Sequence, residues 1–260
     1  MNSILSKNLK LVDLSVCLGN GCSELVPVDI DYMDHEFGGR HLSKLSGIEQ
    51  QQLPDGLGWA SEHVFANTHA GTHVDAPFHY SPRCGERESR TIDELPLEWF
   101  WGPGVCLSVD QGSDHNNITP DEIHRFEELH GIHIDRGWIV LFRTGAARFY
   151  GSKEYSEHGR GFAPETVNLL ADRGVRLFGT DAWSIDPPFH ITCEKAATDG
   201  PAVVWEAHYV GRRREFCAIE KLSNLEHLPS HGFWVASFPI KVRRGSAAWT
   251  RAVAFVESES

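Results

Sequence analysis

Apolar and polar residues are spaced along the chain in two ways, and both predict β-strands. A continuous apolar run at 138–142 is typical of a strand buried on both faces, whereas alternation is typical of half-buried strands. The predicted strands are, in chain order, 10–16, 63–67, 104–110, 138–142, 175–179, 216–220, 233–242 and 247–257. We expect the last two to pair as neighbours across the turn at 243–246. The mixed segment 27–52 is expected to run over the surface, as a segment able to cover a site.

Helix signals lie between these strands. Thr119 is placed to cap one helix, Glu122 completes a capping box with it, and Gly131 is expected to end the helix. A second helix is predicted over 165–173, closed by Gly174. Strand, helix and strand at this spacing form a crossover unit, so at least part of the sheet should be parallel. The pattern therefore predicts an α/β fold, with mixed β-sheets and flanking helices.

Composition narrows the class of protein. A chain of 260 residues with 41% hydrophobic content is long enough for a large core, and we expect a single domain over 1–260. No apolar run is long enough to span a membrane and the first residues do not resemble a signal peptide, so we expect a cytoplasmic protein with no membrane partner. The net charge of -12 argues against a nucleic-acid partner. The six cysteines form no C-x-x-C pair and are predicted to be reduced thiols.

The densest group of metal-ligand side chains lies at 69–79. His69, His73, Asp75 and His79 all have odd numbers, so an extended segment would direct them to one face. A straight strand would hold His69 and His73 about 13 Å apart, too far to bind one ion through bonds of about 2.1 Å. The chain must therefore bend, and Gly71 is the expected hinge. Neutral imidazoles and carboxylates suit zinc or manganese.

Four further residues are candidates for roles around such a site. Thr72 and Trp183 are predicted to contact a substrate, the second because its bulky ring is placed to shape a pocket. Trp59 is expected either to form a pocket wall or to be a core residue. Asp181 follows a predicted strand and is either a ligand or ligand-supporting acceptor, or a turn residue.

The sequence from His69 to His79 resembles the signature H-x-G-T-H-x-D-x-P-x-H of the metal-dependent cyclase family, which includes bacterial kynurenine formamidase and isatin hydrolase. The opening Asp13-Leu14-Ser15, the segment 174–181, and His208 followed twelve residues later by Glu220 are similar to family features as well. The resemblance implies one divalent ion, zinc or manganese, on His69, His73 and Asp75. It also implies that Asp75 bridges to a second ion held by His208 and Glu220, and that His79 transfers protons. The implied fold is a compact, swivelling β/β/α-like domain that assembles as homodimers or homotetramers.

Three functions follow as hypotheses. The first is a metal-dependent hydrolase that uses activated water to cleave the C–N bond of an aryl formamide or cyclic amide, such as an N-formylkynurenine-like or isatin-like aromatic substrate. The second is a cyclase or dehydratase that acts with the same metal on a polyketide-like or other carbonyl substrate. The third is a metal-binding or ligand-binding module without catalysis. The sequence leaves the number of ions, one or two, open as well.

Overall fold

The apolar run predicted as a buried strand lies at the centre of a nine-stranded mixed sheet. The computed structural model describes residues 8–21 and 23–258. The strands of this sheet and of two small ribbons are β1 (Leu9–Asp13), β2 (Asp29–Met33), β3 (Ser61–Phe65), β4 (His73–Asp75), β5 (Arg83–Cys84), β6 (Arg87–Glu88), β7 (Trp101–Ser108), β8 (Ile139–Arg143), β9 (Leu177–Thr180), β10 (Cys217–Glu220), β11 (His231–Ala236), β12 (Ala247–Trp249) and β13 (Val253–Glu257). The helices are α1 (His35–Ser46), α2 (Pro77–Tyr80), α3 (Pro120–His130), α4 (Pro164–Asp172), α5 (Phe189–Asp199) and α6 (Glu206–Tyr209).

The strand order in the large sheet is β1-β13-β11-β7-β8-β9-β10-β4-β12. Strands β7, β8, β9 and β10 run parallel to one another, and the remaining pairs are antiparallel. The crossover prediction is therefore confirmed, because α3 connects β7 to β8 and α4 connects β8 to β9. The other strands form two-stranded ribbons, β2 with β3 and β5 with β6.

Hydrophobic residues fill both faces of the parallel strands. In β8, Ile139 and Leu141 belong to one buried cluster, and Val140 and Phe142 belong to another on the opposite face, where α3 and α4 pack. The first face is enclosed by the curl of the sheet itself. A bridge joins Ser15, two residues past β1, to Leu222, two residues past β10. Burial on two sides explains why this strand is apolar throughout.

The helix predictions hold in detail. Thr119 and Glu122 form the predicted capping box at the start of α3. Gly131 ends the helix in a left-handed conformation with φ 62°, which glycine adopts without steric cost. Helix α4 begins at Pro164 and ends beside Gly174, as predicted. None of the helices in the described residues has the length and apolar character that crossing a bilayer requires.

Three strand predictions are wrong in part. The predicted strand 233–242 ends at Ala236, and the predicted strand 247–257 is divided into β12 and β13. The turn at 243–246 therefore does not join two neighbouring strands, because β11 pairs with β13 while β12 pairs with β4 at the far edge of the sheet. Strand β3 was expected to lead into the histidine motif but pairs with β2 in the separate ribbon. The segment 27–52, expected to be a surface excursion, contains β2 and the mostly exposed helix α1.

The predicted thiol state agrees with the structure where it can be compared. Five cysteines of the described chain are free, namely Cys17, Cys84, Cys106, Cys193 and Cys217. Cys22 lies outside the described residues.

Candidate metal centre

Strand β4 carries two predicted metal ligands into the interior of the sheet. His73 and Asp75 are two residues apart, share one face of the strand and are fully buried. The antiparallel register between β4 and β10 places Glu220 directly opposite His73. The Nε2 atom of His73 lies 3.3 Å from Asp75 Oδ1 and 3.6 Å from Glu220 Oε2. Pairing with β10 therefore gives the motif a carboxylate that lies far away in the sequence.

Gly71 bends the chain as predicted, with a left-handed φ of 59°. The bend returns His69 to the strand, so that its Nδ1 lies 2.8 Å from Asp75 Oδ1. The carbonyl of Gly71 lies 2.8 Å from His73 Nδ1, which directs the other ring nitrogen of His73 toward the carboxylates. One ligand atom each from His69, His73 and Asp75 lies within 4.8 Å of the others. These distances suit a shared ion.

Two more histidines reach the same carboxylates from helices. His208, on α6, has its Nε2 3.8 Å from Asp75 Oδ2 and 3.6 Å from Glu220 Oε1. His79, on α2, has its ring centroid 4.1 Å from that of His69 and 5.5 Å from that of His208. Asp75, His79 and His208 form a second group whose ligand atoms lie within 4.8 Å of one another. The structure thus brings all predicted ligands together, and it places the predicted proton-transfer residue close enough to bind an ion.

The unsatisfied polar atoms at the centre of this cluster fit a cation. Among the described side chains, His73 Nε2, Asp75 Oδ1 and Asp75 Oδ2 are buried without a hydrogen bond, although imidazole nitrogens lie nearby. Buried polar atoms are normally satisfied, because an unsatisfied one costs free energy. A divalent ion bound by these imidazole and carboxylate atoms would satisfy them, and these are ligand types of zinc and manganese.

Asp186 orients His208 and was missed as a functional residue by the sequence analysis. Its carboxylate accepts a hydrogen bond from Nδ1 of His208 and another from the backbone N–H of Ala207 at 2.9 Å. The bond to Nδ1 leaves Nε2 of His208 directed at Asp75 and Glu220. A carboxylate behind a ligating histidine is a recurrent feature of metal sites, because it sets the tautomer and the ring orientation.

The charge balance of the cluster also favours a cation. Burial alone would lower the pKa of His208, but the hydrogen bond to Asp186 raises it to about 10. Burial would raise the pKa of Asp75, but His79 and the other histidines hold it well below its usual range. Burial and the charge of Asp75 raise the pKa of Glu220. The carboxylates that favour a proton on His208 would equally favour a metal ion at its Nε2.

A cavity of about 520 Å³ opens over the cluster. Its walls are predominantly apolar and include Leu25, Val26, Trp183, Phe189, Val204 and Trp205. The Trp183 ring lies 5.6 Å from that of Phe189, and Trp205 stacks on His208 at 4.5 Å with their planes 16° apart. Aromatic and aliphatic walls above a small polar base are typical of pockets that hold organic molecules.

The remaining predicted residues have other surroundings. The hydroxyl of Thr72 accepts a hydrogen bond from Val16 N at 2.9 Å and donates one to Lys221 O at 2.5 Å, so it joins segments of the chain. Trp59 does not line the cavity, because it lies outside it beside His41 of α1 and is 44% exposed. These positions do not support substrate contacts in this chain for either residue.

Asp181 is a turn residue, the second of its two predicted roles. Its carboxylate accepts hydrogen bonds from Thr144 N at 2.7 Å and Gly145 N at 2.9 Å, and thereby fixes the loop after β8. It is not one of the side chains that line the cavity. Asp181 belongs to neither group of clustered metal-ligand side chains in the described residues, so the structure does not support its alternative role as a ligand.

Comparison with known proteins places the site in a family. The Cyclase family model matches residues 12–187, which include the histidine motif and Asp186. The kynurenine formamidase of Salinibacter ruber is 33% identical over 187 residues, or 72% of this chain and 76% of that protein. The isatin hydrolase of Roseibium aggregatum is 27% identical over 220 residues, or 78% of this chain and 77% of that one.

The fold agrees with this assignment. A crystal structure of an isatin hydrolase bound to the product analogue thioisatinate matches with a TM-score of 0.77 at 22% identity, covering 98% of this chain and 95% of that chain. The two curated relatives named above are hydrolases by name. On the family match, the relatives and the shared α/β fold, the chain belongs to the Cyclase family.

Proposed function

We propose that this protein is a metal-dependent hydrolase that cleaves a carbon–nitrogen bond in an aryl formamide or a cyclic amide. The observation that carries the proposal is the set of unsatisfied buried atoms on His73 and Asp75, which meet His79 and His208 at the base of an apolar cavity. Relatives named kynurenine formamidase and isatin hydrolase support amide-type substrates. One or two divalent ions, zinc or manganese, are proposed as the cofactor.

The donor set divides naturally into two groups. His69, His73 and Asp75 would hold one ion, and His208 and Glu220 would hold a second with Asp75 between them. A divalent ion in such a site supplies Lewis acidity, which lowers the pKa of water and polarises a carbonyl group. The protein contributes the positions of these ligands, and burial excludes bulk water from around them.

His79 is the residue best placed to move a proton. Burial lowers the pKa of its imidazole to about 4, and His69 and His208 act in the same direction against the attraction of Asp75. The ring is therefore neutral near neutral pH and has a free lone pair, as a proton acceptor requires. An amide nitrogen is a poor leaving group until it is protonated, so a residue that accepts a proton from water and delivers it to that nitrogen promotes cleavage.

The cavity walls favour an aromatic substrate. Trp183 and Phe189 form a wall of two rings, and Leu25 and Val26 add aliphatic surface. A planar ring buried against these side chains would present its amide carbonyl to the polar base of the cavity. Trp183 is accordingly proposed as a substrate contact.

A substrate screen on metal-defined protein tests the proposal. The protein would be stripped with a chelator, reloaded with zinc or manganese, and incubated with N-formylkynurenine and isatin. We expect formate release or ring opening with the loaded protein and none with the stripped protein. Full activity after metal removal would refute the proposal. Product mass separates hydrolysis, which adds water, from cyclisation with dehydration, which removes it.

A further inference from the structure

A buried ion pair lies beside the metal centre and takes no part in the proposed chemistry. The Lys221 Nζ donates to Glu24 Oε2 at 2.5 Å, and the two side chains are 2% and 5% exposed. Lys221 directly follows Glu220, the last residue of β10, whereas Glu24 belongs to the segment 24–26 that forms one wall of the cavity. Burying two charges requires closely matched partners, which makes the other contacts of this pair informative.

Both members of the pair bind the turn that carries the metal ligands. The Lys221 ammonium also donates to the carbonyl oxygen of His69 at 2.8 Å. The second carboxylate oxygen of Glu24 accepts from the backbone N–H of Gly71 at 2.6 Å. The pair thus holds the backbone on both sides of Ala70, between one predicted ligand and the bend that leads to the next. A shift of this turn would move the imidazole of His69 away from Asp75.

The backbone of Lys221 indicates that its position is maintained by its surroundings. Its φ is 60°, in the left-handed region that glycine adopts far more readily than lysine. Its N–H donates to Ala182 O at 3.0 Å, its carbonyl accepts from Thr72, and its ammonium lies 5.0 Å from the centre of the Trp183 ring. Unfavourable backbone conformations persist where many contacts fix them. Lys221 therefore joins the metal turn, the cavity wall and the end of β10.

We propose that Lys221 and Glu24 are positioning residues, which clamp the metal-binding turn at 69–71 to the cavity wall at 24–26 and so hold His69 in the geometry for metal binding. This inference deepens the proposed function and rests on its metal centre. Metal sites tolerate only small errors in ligand position, so loss of such a clamp weakens binding even when every ligand remains. Because the same pair holds segment 24–26, the wall and the turn should loosen together.

Two variants remove the Lys221 contacts of the clamp in different ways. Lys221→Gly deletes the ammonium and suits the left-handed backbone, which protects folding. This single variant leaves the carboxylate of Glu24 buried without its partner. The double variant, Lys221→Gly with Glu24→Gln, avoids this because it removes both charges while keeping an acceptor for the N–H of Gly71. Arg214→Met is the control, since it breaks the Arg214–Asp172 pair, whose side chains are 44% and 55% exposed.

The measurements are zinc affinity, by competition with a chelator, and amide hydrogen exchange of the peptides covering 23–27 and 69–72. We expect both clamp variants to bind zinc about 10-fold more weakly or worse and to exchange faster in both peptides, whereas the control matches wild type. If Lys221→Gly does not fold, the double variant decides. Wild-type affinity in the double variant would overturn the clamp, because an unpaired charge alone would then explain any loss in the single variant. Absence of zinc binding by wild type would overturn the metal centre as well.

Discussion

Replacing Asp186 with asparagine tests how His208 is held for metal binding. Asparagine keeps the shape of the side chain but presents either an amide NH₂ or a neutral oxygen to Nδ1 of His208. With an NH₂ facing it, Nδ1 must become the acceptor, and the ring proton moves to Nε2. That nitrogen, which faces Asp75 and Glu220 at 3.8 Å and 3.6 Å, then has no lone pair for a metal ion.

The size of the effect follows from the role of Asp186. Removing a carboxylate that orients a ligating histidine typically lowers metal affinity by about 10- to 100-fold, which is about 1.4–2.7 kcal/mol. We expect the upper part of this range, because Asp186 is buried and also accepts from the backbone N–H of Ala207. Asp186 makes no direct contact with His69 or His73, so the loss should be confined to the ion that uses His208.

The assay is a competition titration of metal-free protein with zinc and a chromophoric chelator, combined with metal counting by mass spectrometry. Asp172→Asn is the matched control, since that carboxylate is 55% exposed and is bound by Arg214, a surface residue. His208→Ala marks complete loss of the His208 ion. Wild-type affinity and ion count in Asp186→Asn would refute the assigned role of Asp186. An equal loss of every ion in a folded variant would show that the two ligand groups are not separate.

Four further predictions address other groups. His79→Ala should lower kcat by about 10²- to 10⁴-fold with the bound metal unchanged, and loss of an ion would instead identify His79 as a ligand. Glu220→Gln should remove or weaken one ion in metal counting, and an unchanged count would exclude Glu220 as a ligand. Arg160→Met should lower the free energy of unfolding by about 3 kcal/mol in a urea titration, because the buried guanidinium holds Glu122 and three backbone carbonyls; a change below about 1 kcal/mol would contradict this. Burial raises the pKa of Glu122, but the hydrogen bonds from Arg160 and Thr119 and the charge of Arg160 together lower it by more, so the folded-state pKa lies below the ordinary glutamate value. The stabilisation that Glu122 contributes is therefore present above the ordinary glutamate pKa and is lost as pH falls through the lower folded value. The stability difference between wild type and Glu122→Gln should therefore shrink from about pH 7 to about pH 3.

Local signals in the sequence predicted the parts of the fold that depend on neighbouring residues. The capping box at Thr119, the glycine at the end of α3 and the apolar run of β8 each have a short-range physical cause, and each was located within a few residues. The strands after residue 230 were misjudged because their partners are set by the curl of the whole sheet. Alternation marks 247–257 as extended, but it does not show that β12 crosses to β4 while β13 joins β11.

The residues of the candidate site differ in the same way, because some were predictable from nearby residues and others depend on distant contacts. His69, His73 and Asp75 lie close together in the sequence, and the need for a bend at Gly71 followed from distances alone. His208 and Glu220 were named by resemblance, and the register of β10 against β4 now supplies the physical reason for their approach. Asp186, Glu24 and Lys221 escaped prediction because a lone charged residue in a loop has no pattern, and its role depends on which distant backbone it meets.

The pairing of β4 with β10 and β12 determines when the site can be assembled during protein synthesis. A ribosome releases the segment 69–75 well before the strands that flank it, so the first group of donors exists while the second has not been synthesised. The edges of β4 remain open during that interval. A nascent chain therefore contains the proposed first group of ligands before the proposed second group, which is complete only when β10 joins the sheet.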